Sequence, residues 1–301
     1  MSRFLCAFPV VLACVGCVGD SPNTPPADAA TNDTATNDTG GGPDAAADAP
    51  PSFAPSDFGP RLVLWLDANE ASTVTKSGND VTAWADRSGK NNGALAGARL
   101  NGGSITTTTS SGIGGKAALA FNLASMKVNS STSLELGTGE FLVEVVALLT
   151  PQGDFDRYIL AKYNDNAKGF AMLGPDATLA ISPSPYRFGA FLDYNDKPHV
   201  SPTNAPVDGQ AFRVYGMHRL TATTLEARVN GGSTGPVTVP SQNLTNVNPL
   251  VIGASSFVAP GPNNPLASSQ IAEIVMVSGS ASTKEVTDLE DYFKKKYSLA
   301  F

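Results

Sequence analysis

The 301 residues hold 42% hydrophobic side chains with 29 Gly and 22 Pro, which suits a packed core with many turns, in one large β domain or two average ones. The net charge of −7 is concentrated in residues 20–57, where Asp20, Asp28, Asp33, Asp38, Asp44, Asp48 and Asp57 occur without a single basic residue; elsewhere acids and bases balance. No basic face is present to neutralise a phosphate backbone, which argues against nucleic acid as a partner.

Residues 1–19 read as a secretory signal. Arg3 gives a short basic start, and the apolar run from Phe4 to Ala13 is too short to span a bilayer. Small residues then lead into cysteine twice, in VLAC ending at Cys14 and CVGC ending at Cys17. Both resemble the bacterial lipobox, in which the cysteine is lipidated; an ordinary cleaved signal is the alternative. Acyl chains contribute roughly 0.8 kcal/mol per buried methylene, so a multiply acylated cysteine would anchor the chain to a membrane. All three cysteines lie in this region, so the rest of the chain uses neither a disulfide nor a thiolate–metal site.

Residues 20–57, rich in Ala, Asp, Thr and Pro, contain almost no large apolar side chain and cannot offset their ordering entropy by burial. They read as a disordered acidic tether, on the order of 35 Å long as a coil.

From Phe58 onward, apolar segments alternate with turn signals, the pattern of strands. The segments 61–68 and 141–150 are apolar enough to be central. Further strands are expected at 157–163, 169–173, 178–182, 186–194, 212–220, 224–232, 250–254 and 270–279. In TLEARVNGG, Leu225, Ala227 and Val229 share one side and Glu226 and Arg228 the other, before the Asn230–Gly231 turn signal. One helix is marked near the C-terminus. Ser282 and Glu285 form a capping box, and Val286, Leu289, Phe293 and Tyr297 recur at helical spacing. Lys294, Lys295 and Lys296 suit the negative end of the helix dipole, and the reading there is a solvated end.

The segments LVLWLDANEASTV and VTAWADRSGKNNGA, the strand FLVEVVALLT, the hairpin ending in VNGG, the LVIGAS strand and the closing IAEIVMVSGSASTKEVTDLEDYFKKKYSL occur in the order seen in bacterial laminin G-like, concanavalin A-like jelly-roll domains, which the chain resembles over most of 58–301. The run GGSITTTTSSGIGGK departs from that pattern. The resemblance implies an all-β fold, an antiparallel β-sandwich with a short C-terminal helix, and ligand sites on a concave sheet or at rim loops.

Catalysis has little support. The Glu-x-Asp-x-x-Glu strand of retaining glycosidases on this fold is absent, His199 and His218 are isolated in sequence, and no serine has a nucleophile-elbow context. The chain is therefore expected not to be an enzyme. Calcium at a rim is a candidate cofactor, with Asp193, Asn195 and Asp196 as oxygen ligands; turn chemistry explains the same residues. For a glycan, Tyr186, Phe188 and Tyr194 share strand parity and are the candidate platform, with core packing as the competing explanation. Trp84 is assigned to the core, and Asp86, Ser88 and Gly89 to a turn in which Asp86 accepts backbone amides and Arg87 is a nearby charge partner.

The expectation is thus a lipid-anchored protein of the bacterial cell envelope, at the outer membrane or cell surface, whose jelly-roll domain binds a glycan or a surface protein. A structural envelope protein without a small ligand, or a polysaccharide-cleaving enzyme, are the alternatives.

Overall fold

The computed structural model describes residues 52–151, 156–163, 168–176, 187–193, 200–202, 207–255 and 264–301. They form fifteen strands: β1 (Leu62–Asp67), β2 (Val74–Ser77), β3 (Asp80–Trp84), β4 (Ala94–Ser110), β5 (Lys116–Val128), β6 (Phe141–Leu148), β7 (Tyr158–Tyr163), β8 (Lys168–Asp176), β9 (Arg187–Asp193), β10 (Arg213–Thr221), β11 (Thr224–Val229), β12 (Gly232–Ser233), β13 (Val237–Thr238), β14 (Leu250–Ile252) and β15 (Ser269–Ser278). One helix follows, α1 (Thr283–Tyr297). Every strand pairing is antiparallel. The expected strand at 178–182 lies outside the described residues.

The strands join in one sheet that curls over on itself, in the order β12-β11-β10-β6-β15-β5-β14-β7-β8-β9, with β1 on β15 and the β2–β3 hairpin reaching β4. The fold-over is made by β5. Its residues Leu119 to Phe121 pair with β15, and Met126 to Val128 pair with β14 in the other leaf. β4 follows β5 through the same bend, with register irregularities between Ala96 and Ser104. Inner faces of the leaves meet through Phe141 of β6 and Phe170 of β8, 5.3 Å apart, and through Phe188 of β9 and Tyr215 of β10, 5.2 Å apart. The fold is an antiparallel β-sandwich, as the resemblance to jelly-roll domains implies.

α1 covers the outer face of the leaf containing β1, β15 and β6. Val286, Leu289, Phe293 and Tyr297 pack on Trp65, Val146, Val275 and Val277. Each such fully buried side chain contributes roughly 1.5–3 kcal/mol relative to exposure. The capping box is present, with Ser282 Oγ accepting from Glu285 N and Glu285 Oε2 accepting from Ser282 N at 2.8 Å. Phe53 and Ala54 pack against this same layer, Phe53 edge-on to Phe58. The lysine run departs from expectation: Lys296 is not solvated but turned inward, donating to Asp67 Oδ2 at 2.8 Å and Glu273 Oε2 at 2.6 Å.

Candidate functional site

The residues singled out in the sequence fall in three places. Phe188 is fully buried between the leaves, against Tyr215, so its ring fills the core and offers no surface platform. The inward parity of alternate β9 residues, shared with Ala190 and Leu192, is the reason. Asp193 ends β9 by its backbone, while Tyr186, Tyr194, Asn195, Asp196, Cys14 and Cys17 lie outside the described residues. Among the described residues, no three His, Cys, Asp or Glu side chains come together as a metal site.

The stretch around Trp84 builds structure. Trp84 is fully buried. Asp86 Oδ1 accepts from Trp65 N at 3.0 Å and Ser88 N at 2.9 Å; its Oδ2 accepts from Ser88 Oγ at 2.7 Å and Asn92 N at 2.9 Å. Asn92 Nδ2 continues the clasp by donating to Val63 O and Ser133 Oγ. All these groups are occupied with one another, as the turn reading requires.

Two clusters of buried charge lie under α1. In the first, Glu273 on β15 is fully buried and accepts from Trp65 Nε1, Tyr292 OH, Tyr297 OH and Lys296 Nζ. Burial raises the Glu273 carboxyl, and the adjoining Lys296 charge opposes this. In the second cluster, Glu144 on β6 lies opposite Gly216, which lies opposite Arg228 on β11. Among the described residues neither Glu144 oxygen has a hydrogen-bond partner, and burial raises its carboxyl well above the ordinary range, reinforced by Glu290. Glu226 goes the other way, lowered to about 2 by the neighbouring His218 and then Ser233 and Arg228. Arg228 in turn donates to both oxygens of Glu290 on α1, each at 3.0 Å. Carboxylates driven in opposite directions can mark acid–base sites. Here Glu226 bonds within its own sheet and Glu144 has no described hydrogen bond; the tie to the helix is Arg228 on Glu290.

An open cavity lies elsewhere. A groove of about 530 Å³ runs along the edge of β4, lined by Thr107, Thr108, Thr109 and Ala117 on one side and by Ala68, Ala71, Val74 and Lys76 on the other. Side chains alternate along a strand, so three consecutive lining residues mean that the groove faces the strand edge. β5 pairs with β4 throughout this stretch, whereas the described pairing of β3 stops at Thr106. The groove therefore presents the threonines of β4 beside Ala117 of the paired β5. Lys76 Nζ reaches across to Thr107 Oγ1 at 3.1 Å. Among the described residues the lining contains no carboxylate and no histidine. These residues were not singled out in the sequence, although the threonine run that forms one wall is its most unusual stretch.

No protein-family model matches the sequence, and no characterised protein matches it in sequence. Solved structures do match in fold. The binding domain of Paraclostridial Mosquitocidal Protein 1 superposes with a TM-score of 0.55 at 12% identity, over 80% of this chain and 53% of that one. An arabinofuranosidase complexed with arabinofuranosyl-α-1,2-xylobiose gives 0.54 at 14%, over 78% and 59%. Domain 4 of an extracellular arabinanase from Geobacillus stearothermophilus, in complex with arabinotriose, gives 0.51 at 11%, over 76% of this chain and 98% of that domain. The chain thus spans little more than half of the first two and nearly all of the third. At these identities the likeness establishes the β-sandwich fold.

Proposed function

We propose that the protein is a recognition module that binds a glycan in the groove between β4 and β2, without cleaving it. The observation that carries this reading is the groove itself. Its volume falls within the few hundred to one thousand Å³ typical of small-ligand sites. Its walls offer threonine hydroxyls and one ammonium, groups that hydrogen-bond to sugar hydroxyls. The arabinotriose complex of a similarly folded domain supports the choice of ligand class.

The test is calorimetric titration with arabinotriose and a glycan array, on the wild type and on Lys76→Ala and Thr107→Val. Binding weakened tenfold or more in either variant, with unchanged melting temperature, is the expected result. No glycan binding, or binding indifferent to both substitutions, overturns the assignment; capture of an envelope protein instead would identify a protein ligand.

The module is held at the bacterial cell envelope by a lipid on Cys14 or Cys17, with the acidic segment that precedes Ser52 as the spacer, since Phe53 and Ala54 already pack on the domain. What supports this is the short apolar run followed by two lipobox-like cysteines. A Cys14→Ala, Cys17→Ala double variant is expected in the soluble fraction, and its persistence with membranes would refute the anchor.

A further inference from the structure

Lys162 on β7 is 1% exposed, and its Nζ meets only neutral acceptors among the described residues. It donates to the backbone carbonyls of Asn246 at 2.8 Å and Asn248 at 2.7 Å. It also lies 3.3 Å from the side-chain Oδ1 of Asn246 and 3.5 Å from Ser130 Oγ. Asn246 is itself 7% exposed, and its carboxamide is held in one orientation. Nδ2 donates to Leu244 O at 3.0 Å and Lys168 O at 3.5 Å, while Oδ1 accepts from Asn248 N at 3.1 Å. The carboxamide therefore turns its carbonyl toward the lysine and its amino group away.

We propose that Lys162 and Asn246 join in an intramolecular isopeptide bond, formed by the fold itself. A neutral amine has two N–H donors and one lone pair. As an ammonium Nζ donates to Asn246 Oδ1 as well; loss of that third proton keeps the two short bonds to Asn246 O and Asn248 O and turns the lone pair toward the carboxamide. Nζ attacks Cγ, and the carbonyl electron pair moves onto Oδ1, where the Asn248 N–H already points. The proton shed by Nζ is taken up by Nδ2 within the tetrahedral intermediate. The Cγ–Nδ2 bond then breaks, the carbonyl re-forms and ammonia leaves. One C–N bond replaces another, so no oxidant, reductant or cofactor is needed. Positioning of both partners in a site shielded from water supplies the effective concentration that free lysine and asparagine lack. Burial, which lowers the lysine to about 8 against a weaker opposing pull from Glu135, makes the neutral nucleophile accessible near neutral pH. The bond would tie β7 to the irregular segment between β13 and β14, closing a large covalent loop across the second leaf.

The experiment is tandem mass spectrometry of the digested full-length protein, with intact masses of the wild type and of Lys162→Met. The expected result is a branched peptide joining the Lys162 and Asn246 segments, together with the loss of one ammonia, about 17 Da, that the variant does not show. Succinimide formation at Asn92–Gly93, Asn101–Gly102 or Asn230–Gly231 loses the same mass but gives no branched peptide. Separate, unmodified Lys162 and Asn246 peptides, or an ammonia loss confined to an Asn–Gly site, overturn the proposal. Should Lys162→Met fail to fold, the wild-type branched peptide still decides.

Discussion

The guanidinium of Arg87 lies over the indole of Trp65, 3.9 Å from the ring centroid, while its Nη1 donates to Asp67 Oδ2 at 2.6 Å. Asp67 accepts from Lys296 as well, so the turn after β3, the end of β1 and the last turn of α1 share one carboxylate. Asp86, next to Arg87, fixes the turn that aims the guanidinium. Its carboxylate accepts four hydrogen bonds, three of them from backbone amides that have no other described acceptor. Asp86→Ala is expected to lower unfolding free energy by about 3 kcal/mol, since hydrogen bonds to charged groups are worth about 1.5–3 kcal/mol each and partial hydration offsets some of the loss. Urea unfolding measures this. Ligand affinity per folded molecule should stay unchanged, because the clasp does not line the groove.

The paired carboxylates under α1 predict opposite pH signatures. Glu144, raised first by burial and then by Glu290, binds its proton more tightly folded than unfolded. Its contribution to stability therefore declines as pH climbs from about 4.5 through the raised value. Glu144→Gln should gain on the wild type progressively with rising pH. Glu226 is lowered to about 2, so it supports folding above the ordinary carboxylate range and the support is lost as pH falls toward 2. Glu226→Gln should be less stable than the wild type at pH 7 and converge with it in acid. Urea midpoints between pH 3 and 9, in roughly unit steps, separate the two. Parallel curves for wild type and Glu144→Gln would show that this carboxyl does not titrate with folding.

Much of this architecture is legible in the sequence, and the illegible parts have physical causes. β1, β6, β10, β11 and β15 announce themselves because buried central strands are apolar runs and half-covered ones alternate. The parity of Leu225, Ala227 and Val229 is found as read, all three buried. β4 and β5, the longest strands, give no comparable signal. β4 carries Gly and Thr where it bends and runs along an edge, and β5 is rich in alanine, with burial that changes face as it passes between leaves. The groove inherits that obscurity, since one wall is the β4 edge and the other comes from residues 68–76. The role of Lys296 is hidden for a different reason. Helical spacing places it beside Tyr292, but only the fold brings Asp67 and Glu273 beneath it. Phe188 has the right parity, yet which face is interior depends on the second leaf.

The bend in β4 rests on Gly103. A Cβ there would come 2.3 Å from Leu123 O and 2.5 Å from Asn122 O, both backbone atoms of β5 that cannot swing aside. Gly103→Ala must therefore displace one strand from the other where both cross between leaves. Overpacking typically costs about 1–3 kcal/mol, and this site should lie at or above the upper end because the clash is with main chain. A loss of unfolding free energy below about 1 kcal/mol would show that the bend has slack.

Arg219 shows how a buried cation can be structural. It is fully buried, and its guanidinium donates to four backbone carbonyls: Thr221 and Ala222 in the β10–β11 turn, Gly137 before β6 and Gln242 after β13. Those three segments have few other described bonds to one another, so the planar fork is their common anchor. Arg219→Lys keeps the charge but presents three donors from a single atom, which cannot reach positions spread around a guanidinium. At least one carbonyl would lose its partner in a site closed to water. The expected cost is about 2–3 kcal/mol, from the desolvation of an unpaired carbonyl and the poorer geometry of the rest. Amide hydrogen exchange supplies the local signature: Leu244 N, bonded to Gly137 O at 2.8 Å, should exchange faster in the variant, while amides of β15 keep their protection relative to global stability. A variant as stable as the wild type, with Leu244 equally protected, would mean that these loops hold together without the arginine.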